Sequence, residues 1–183
     1  MEVVLVHPEI PHNTGCAARL AAATGVRLHL VEPLGFSLED RYLKRAGLDY
    51  WPQVDLMVHE SWSAARAFLE EQGDTPLAER VRLFSARGGP SLFRTEFGTD
   101  DVLLFGRESE GLPPELLEEF AERLVYVPIQ PGVRSLNLAN VVCLGLYTAL
   151  DRSGAPMPSN DGGYTAHPRA QEDVWPLEMA QRK

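Results

Sequence analysis

The chain has 183 residues, 44% of them hydrophobic, and a formal net charge of −9. That length supports one domain with a sizeable core, and the acidity excludes a protein that coats nucleic acid indiscriminately, while leaving room for a local basic face. Cys16 and Cys143 lie far apart without a CxxC pattern or a His cluster, so neither a disulfide framework nor a metal site is expected.

No apolar run approaches the roughly 18 residues of a membrane span, and the start MEVVLVHPEI lacks the basic-then-apolar pattern of a leader. The expectation is a cytoplasmic protein. The first predicted strand, Val3–Val6, runs directly into HPEIPHNTGCAARLAAATG. Pro8 and Pro11 stiffen this connection, Asn13 or Thr14 can cap a helix over Thr14–Ala23, and Gly15 permits close backbone approach. Arg19 falls one to two turns into that helix, where its guanidinium can project beside the loop. Local physics also allows a plain capped helix with a surface arginine.

A strand at Arg27–Val31 leads to a predicted helix over Ser37–Ala46, followed by a strand at Asp55–Val58, a helix over Ser61–Glu71 and a strand at Val81–Phe84. Arg19, Arg27, Arg41, Lys44, Arg45, Arg87, Arg94, Arg107 and Arg134 fall near Gly-, Pro- or Asn-containing turns. Arginine suits bidentate phosphate recognition; the plain alternative is solvated charges paired with the excess carboxylates.

Next comes VLLFGRESEGLPPELLEEF, in which the strand Val102–Phe105 ends at Gly106 and a helix restarts over Pro113–Ala121 with proline in its first turn. Gly106 and Gly111 frame Glu108, Ser109 and Glu110 in a tight loop whose backbone groups need partners. A ligand would supply them, as would an ordinary strand–turn–helix joint.

The last segment is LVYVPIQPGVRSLNLANVVCLGLYTAL, a strand at Leu124–Val127, a Pro- and Gly-containing loop and the longest helix, Leu136–Leu150. Val141, Val142, Leu144, Leu146 and Leu150 make this helix apolar on most sides, which predicts burial in the core or against a second copy. Desolvating Ser135, Asn137 and Asn140 without partners would cost about 1–3 kcal/mol each, so they should cap the helix or contact a ligand. Residues 1–150 read as one domain. Residues 151–183, rich in Pro and Gly, read as a flexible extension or a docking arm anchored by Trp175 and Leu177.

The alternation predicts an α/β fold, a mostly parallel sheet with helices on both faces and ligands beyond the carboxyl ends of its strands. GxGxxG at the first helix, GxxxxGK[ST], HExxH and GxSxG are all missing from the sequence, which argues against dinucleotide redox and P-loop chemistry.

In this order and spacing, the three loop segments resemble the SPOUT (trefoil-knot) RNA 2′-O-methyltransferases, most closely the small tRNA (cytidine/uridine-34 2′-O)-methyltransferase family. The likeness runs from Val3 to about Leu150 and takes in RLHLVEPLGFSLEDRYLKRAGLDYW and RLFSARGG. It implies a C-terminal deep trefoil knot, a homodimer packed through the last and first-motif helices, and S-adenosyl-L-methionine as methyl donor. The cofactor would lie against Ala86, Gly106, Val127, Ile129, Ser135 and Leu136, with Ala139 or Asn140 closing the pocket. The substrate implied is a tRNA anticodon loop, methylated at the wobble nucleotide, with Tyr50, Trp51, Arg41 and Arg45 as candidates for stacking on its splayed bases and core packing as an equal rival for Trp51. Arg19 would activate the 2′-hydroxyl, with Asn13, Glu108, Ser135 and Asn137 placing it or a substrate phosphate. The sequence departs from the usual pattern at Arg107 (for Pro), Glu110 (for Arg), Cys16 (for Asn) and Ala139 (for Ser). Glu110 would thereby remove a positive charge near the substrate. Alternatives are a 2′-O-methyltransferase of ribosomal RNA or another tRNA site, and a non-catalytic knotted RNA-binding module.

Overall fold

The computed structural model describes residues 1–38, 51–86, 88–157 and 159. Six strands, β1 (Glu2–Val6), β2 (Arg27–Val31), β3 (Leu56–His59), β4 (Val81–Phe84), β5 (Val102–Phe105) and β6 (Leu124–Val125), form one sheet in the order β3-β2-β1-β5-β4-β6. All its pairings are parallel. The aliphatic runs follow from this arrangement, because a parallel strand covered on both faces buries every side chain.

Successive residues divide between two core layers. Val3, Leu5, Leu28, Leu30, Leu103 and Phe105 pack toward helices α1 (Pro11–Thr24) and α5 (Leu138–Ser153). Val4, Val6, Val31, Leu83 and Leu104 pack toward α2 (Trp62–Gln72), α3 (Leu77–Arg80) and α4 (Pro114–Glu119). The expected sheet with helices on both faces is what forms.

Element ends differ from the expectation for local reasons. Helix α1 starts at Pro11, three residues early, with Ile10 at its N-cap and no side-chain cap. Neither Asn13 nor Thr14 caps it; both are buried inside its first turn. A proline at the first helical position brings the required φ and has no amide to satisfy. Helix α5 starts two residues late, at Leu138, because Asn137 is its N-cap, and it runs past Leu150 to Ser153. Strand β6 ends at Val125, after which Tyr126 bridges to Ser91. The helical turn Leu77–Arg80 is too short for periodicity to reveal.

Trp51 is 5% exposed within the core of the α1 layer, which removes it as a base-stacking platform. Most of the helix expected over Ser37–Ala46 lies outside the described residues. So do Arg41, Lys44, Arg45, Tyr50, Arg87, Trp175 and Leu177.

Helix α5 buries Val142, Leu146 and Ala149 within its own chain. Gly145 makes this seating possible: a Cβ there would lie 2.6 Å from the Phe84 ring and 3.3 Å from Phe105. Those rings stack at 4.4 Å between centroids. Leu144 and Tyr147, on the outward side of α5, stay 39% and 38% exposed. Among the described residues no helix is long and apolar enough to cross a membrane.

Candidate active site

The site begins where the central strands end. Phe84 is in register with Phe105 and with Val125. Ala86, Gly106 and Val127 therefore follow three adjacent strands at the carboxyl edge of the sheet, the edge where an α/β sheet binds ligands. Gly106 is buried, Ala86 exposed, and Val127 and Ile129 half-buried. The chain between β4 and β5 also wraps closely over β6. Ser85 N–H donates to Val125 O (3.0 Å), Tyr126 N–H to Pro90 O (3.1 Å) and Leu92 N–H to Tyr126 O (2.8 Å). At Gly89, φ is +89° and a Cβ would fall 2.2 Å from Leu124 O.

The loop after β5 is closed on itself. Gly111 N–H donates to Arg107 O at 2.9 Å, and a Cβ on Gly106 would meet the Gly111 carbonyl carbon at 2.0 Å. Arg107 forms an ion pair with Glu110. The Glu110 carboxylate is thus matched inside its own loop.

One hydrogen-bonded relay joins the three loop segments. Ala139 N–H donates to Asn137 Oδ1 (2.9 Å), Asn137 Nδ2 to Asn13 Oδ1 (3.0 Å) and Asn13 Nδ2 to Glu108 Oε1 (2.8 Å). Glu108 also accepts the backbone N–H groups of Glu9 (2.8 Å) and Ile10 (3.3 Å). A backbone donor stands at one end and a carboxylate, which only accepts, at the other. Both asparagine orientations follow from those ends.

A second clasp runs in the opposite direction. The Glu9 carboxylate accepts Ser109 N–H (2.9 Å) and Oγ–H (2.8 Å), while Arg134 donates to Ser109 O (2.9 Å). The hydrogen bonds from Ser109 hold the Glu9 carboxyl below the usual carboxylate range. His7, just before this loop, adopts a left-handed φ of 53°. Burial, with Arg107 nearby, lowers its affinity for a proton.

Of the residues singled out in the sequence, Asn13, Glu108 and Asn137 meet directly. Ser135 and Asn140 are exposed, and Leu136 and Ala139 half-buried, around the start of α5. Arg19 is exposed on α1, six residues beyond Asn13, hence roughly 9 Å along the axis and about 120° around it. Sequence reasoning missed Glu9. It had one local signal, a carboxylate two positions before a helix whose first amides need acceptors. Among the described residues no group of three or more His, Cys, Asp or Glu side chains could hold a metal ion.

The model of the SpoU rRNA Methylase family matches residues 1–147. A tRNA (cytidine(34)-2′-O)-methyltransferase of a Polaromonas species (strain JS666) is 47% identical over 154 residues, 83% of this chain and 90% of the relative. A solved structure described as giving structural insights into the 2-OH methylation of C/U34 on tRNA superposes with a TM-score of 0.76 at 47% identity, covering 85% of this chain and 97% of the other. The SpoU methyltransferase AviRb of Streptomyces viridochromogenes, solved in complex with the cofactor AdoMet, shares the fold with a TM-score of 0.73 at 22% identity, covering 85% of this chain and 58% of the other.

Proposed function

Because this chain belongs to the SpoU rRNA Methylase family, we propose that it transfers a methyl group to the 2′-hydroxyl of the wobble nucleotide, position 34, of transfer RNA. The observation that carries this reading is the relay Asn13–Glu108–Asn137, which draws three distant loop segments to one edge of the sheet. The near full-length likeness to a tRNA (cytidine(34)-2′-O)-methyltransferase supports the substrate.

S-adenosyl-L-methionine supplies an already electrophilic methyl group when bound. The residues fit such a molecule. Ala86 after β4, Val127 and Ile129 after β6 and Leu136 just before α5 bring small and aliphatic side chains together with main-chain groups, a setting suited to a neutral adenine. Gly106 and Ser135 complete the set.

The protein's own task is alignment of the hydroxyl. Asn13, Glu108 and Asn137 hold the loops, and Ser135 stands beside them. Arg19 acts as a charged group that grips phosphate and stabilises developing alkoxide.

Two features complete the proposal. Ser85, Pro90 and Leu92 bonded to the backbone of Val125 and Tyr126, with α5 returning to pack on β5 and α1, support a C-terminal trefoil knot. The exposed Leu144 and Tyr147 on α5, with Ile10 exposed before α1, support a homodimer. The methyltransferase unit is residues 1–150, with 151–183 an extension.

Incubating the protein with labelled S-adenosylmethionine and total tRNA, then mapping the product by nucleoside digestion and mass spectrometry, tests the activity. A 2′-O-methylnucleoside at position 34 is expected. Label in ribosomal RNA or at another tRNA position, or no transfer, rejects it. Arg19→Ala should abolish transfer while calorimetric titration shows cofactor affinity nearly unchanged; a loss of that affinity moves Arg19 into the cofactor site.

A further inference from the structure

Five arginines of the described residues, Arg27, Arg66, Arg80, Arg82 and Arg107, are each paired with a carboxylate. Arg134 differs. Among the described residues its one hydrogen bond goes to a neutral acceptor, the Ser109 carbonyl, at 2.9 Å, and it makes no ion pair. A guanidinium has five N–H donors in a planar fork, so most of this one is left for an anion. Its place is telling: Arg134 immediately precedes Ser135 and lies three residues before Asn137, whose side chain reaches Asn13 at 3.0 Å.

What aims Arg134 is the residue on which it rests. Ser109 is gripped through both its N–H (2.9 Å) and its hydroxyl (2.8 Å) by the Glu9 carboxylate. With both oxygens engaged by Ser109, Glu9 orients the arginine's anchor and does not neutralise the arginine. We propose that Glu9 is a positioning residue which, through Ser109, presents Arg134 as the guanidinium that takes an RNA phosphate beside the site. This proposal rests on the tRNA-methyltransferase reading above.

The test uses the full-length protein as wild type, Glu9→Ala, Glu9→Gln, Arg134→Ala and the Glu9→Ala/Arg134→Ala double variant. Binding of intact tRNA is measured across a salt series, S-adenosylmethionine affinity by calorimetry, and oligomeric state and melting temperature in parallel. Arg134→Ala should weaken tRNA binding about tenfold and flatten the slope of log K against log salt by about 0.7–0.9, the loss of one phosphate contact. Glu9→Ala should lose affinity in the same sense, with S-adenosylmethionine affinity unchanged and the melting temperature lowered only by the few degrees that losing two hydrogen bonds costs. The double variant should be no weaker than Arg134→Ala alone, since Glu9 acts through the arginine. Glu9→Gln, which keeps one acceptor for Ser109, should recover part of the loss. Additive single effects, an unchanged salt slope, or a loss confined to cofactor affinity or to self-association each overturns the proposal. Wild-type protein that neither binds nor methylates tRNA instead overturns the functional reading beneath it.

Discussion

Asn137→Asp separates the two duties of Asn137, because aspartate caps a helix as well as asparagine does but cannot donate. In the native chain Asn137 accepts from Ala139 N–H at 2.9 Å and donates to Asn13 Oδ1 at 3.0 Å. After the substitution an oxygen faces an oxygen. Rotating the Asn13 amide repairs that contact only by turning its Oδ1 toward the Glu108 carboxylate, now held at 2.8 Å by Asn13 Nδ2. One acceptor–acceptor contact survives either way, at a cost of about 1–3 kcal/mol. A deficit of about 2 kcal/mol corresponds to roughly 4–8 °C in Tm for a chain of this size. A proton trapped between the two oxygens relieves the contact, so the folded variant binds a proton more tightly than the unfolded one. The relief is then present at low pH and lost as pH rises through the raised folded-state value. Urea denaturation of wild type, Asn137→Asp and Asn137→Ala between pH 5 and pH 8 reads this directly. The aspartate variant's deficit should be full at pH 8 and shrink toward pH 5, while the alanine variant's stays level. A deficit for Asn137→Asp that ignores pH, or no deficit at all, refutes the directional relay.

Gly106→Ala drives a Cβ to 2.0 Å from the Gly111 carbonyl carbon and should cost at least about 1–3 kcal/mol by overpacking, together with methyl transfer. Gly111→Ala meets nothing within 4 Å but sits at φ +81°, so thermal melts should show the smaller loss, about 1 kcal/mol. Burial, then the neighbouring His29, holds His59 at about 4 against an ordinary 6.5. The unfolded chain therefore takes the proton first, and stability should fall between those pH values by at most about 3 kcal/mol. In urea titrations His59→Asn should be weaker at pH 7 yet less acid-sensitive than wild type; equal acid slopes count against this assignment. Leu144→Glu combined with Tyr147→Glu should leave the fold intact by circular dichroism and yield monomers in sedimentation, whereas an unchanged sedimentation coefficient rules out this face as the dimer contact.

The strands were readable because β1 and β5 are covered on both sides, leaving continuous aliphatic runs such as Val3–Val6 and Val102–Phe105 that local pattern detects within a residue. Helix starts were less so: at α1 a proline competes with two good capping residues, and the proline wins. The relay was out of reach of local chemistry. Asn13 and Asn137 are 124 positions apart, and each alone is an ordinary turn residue. Only the family resemblance grouped them with Glu108. Glu9 carries no helical or strand period, and its place two positions before a helix start does not reveal its partner, Ser109, 100 positions on.

Net charge left a local basic face open, and the fold shows how one can arise. At the amino ends of the strands acids and bases cancel: Arg27 pairs with Asp55 at 2.8 Å, Arg82 with Asp101 at 3.2 Å, and Glu2 accepts His29 Nε2–H at 2.7 Å with Arg80 3.7 Å away. At the carboxyl edge the carboxylates are spent differently. Glu108 is occupied by two backbone amides and Asn13, and Glu9 by Ser109. Acids saturated by neutral donors do not bind the nearby arginine, and each helps to hold a loop in place. An acidic chain can therefore present an unmatched guanidinium at Arg134 beside its functional loops, because what a polyanion meets there is set by which charges the hydrogen bonds have already engaged, and the sum over the whole chain does not report that.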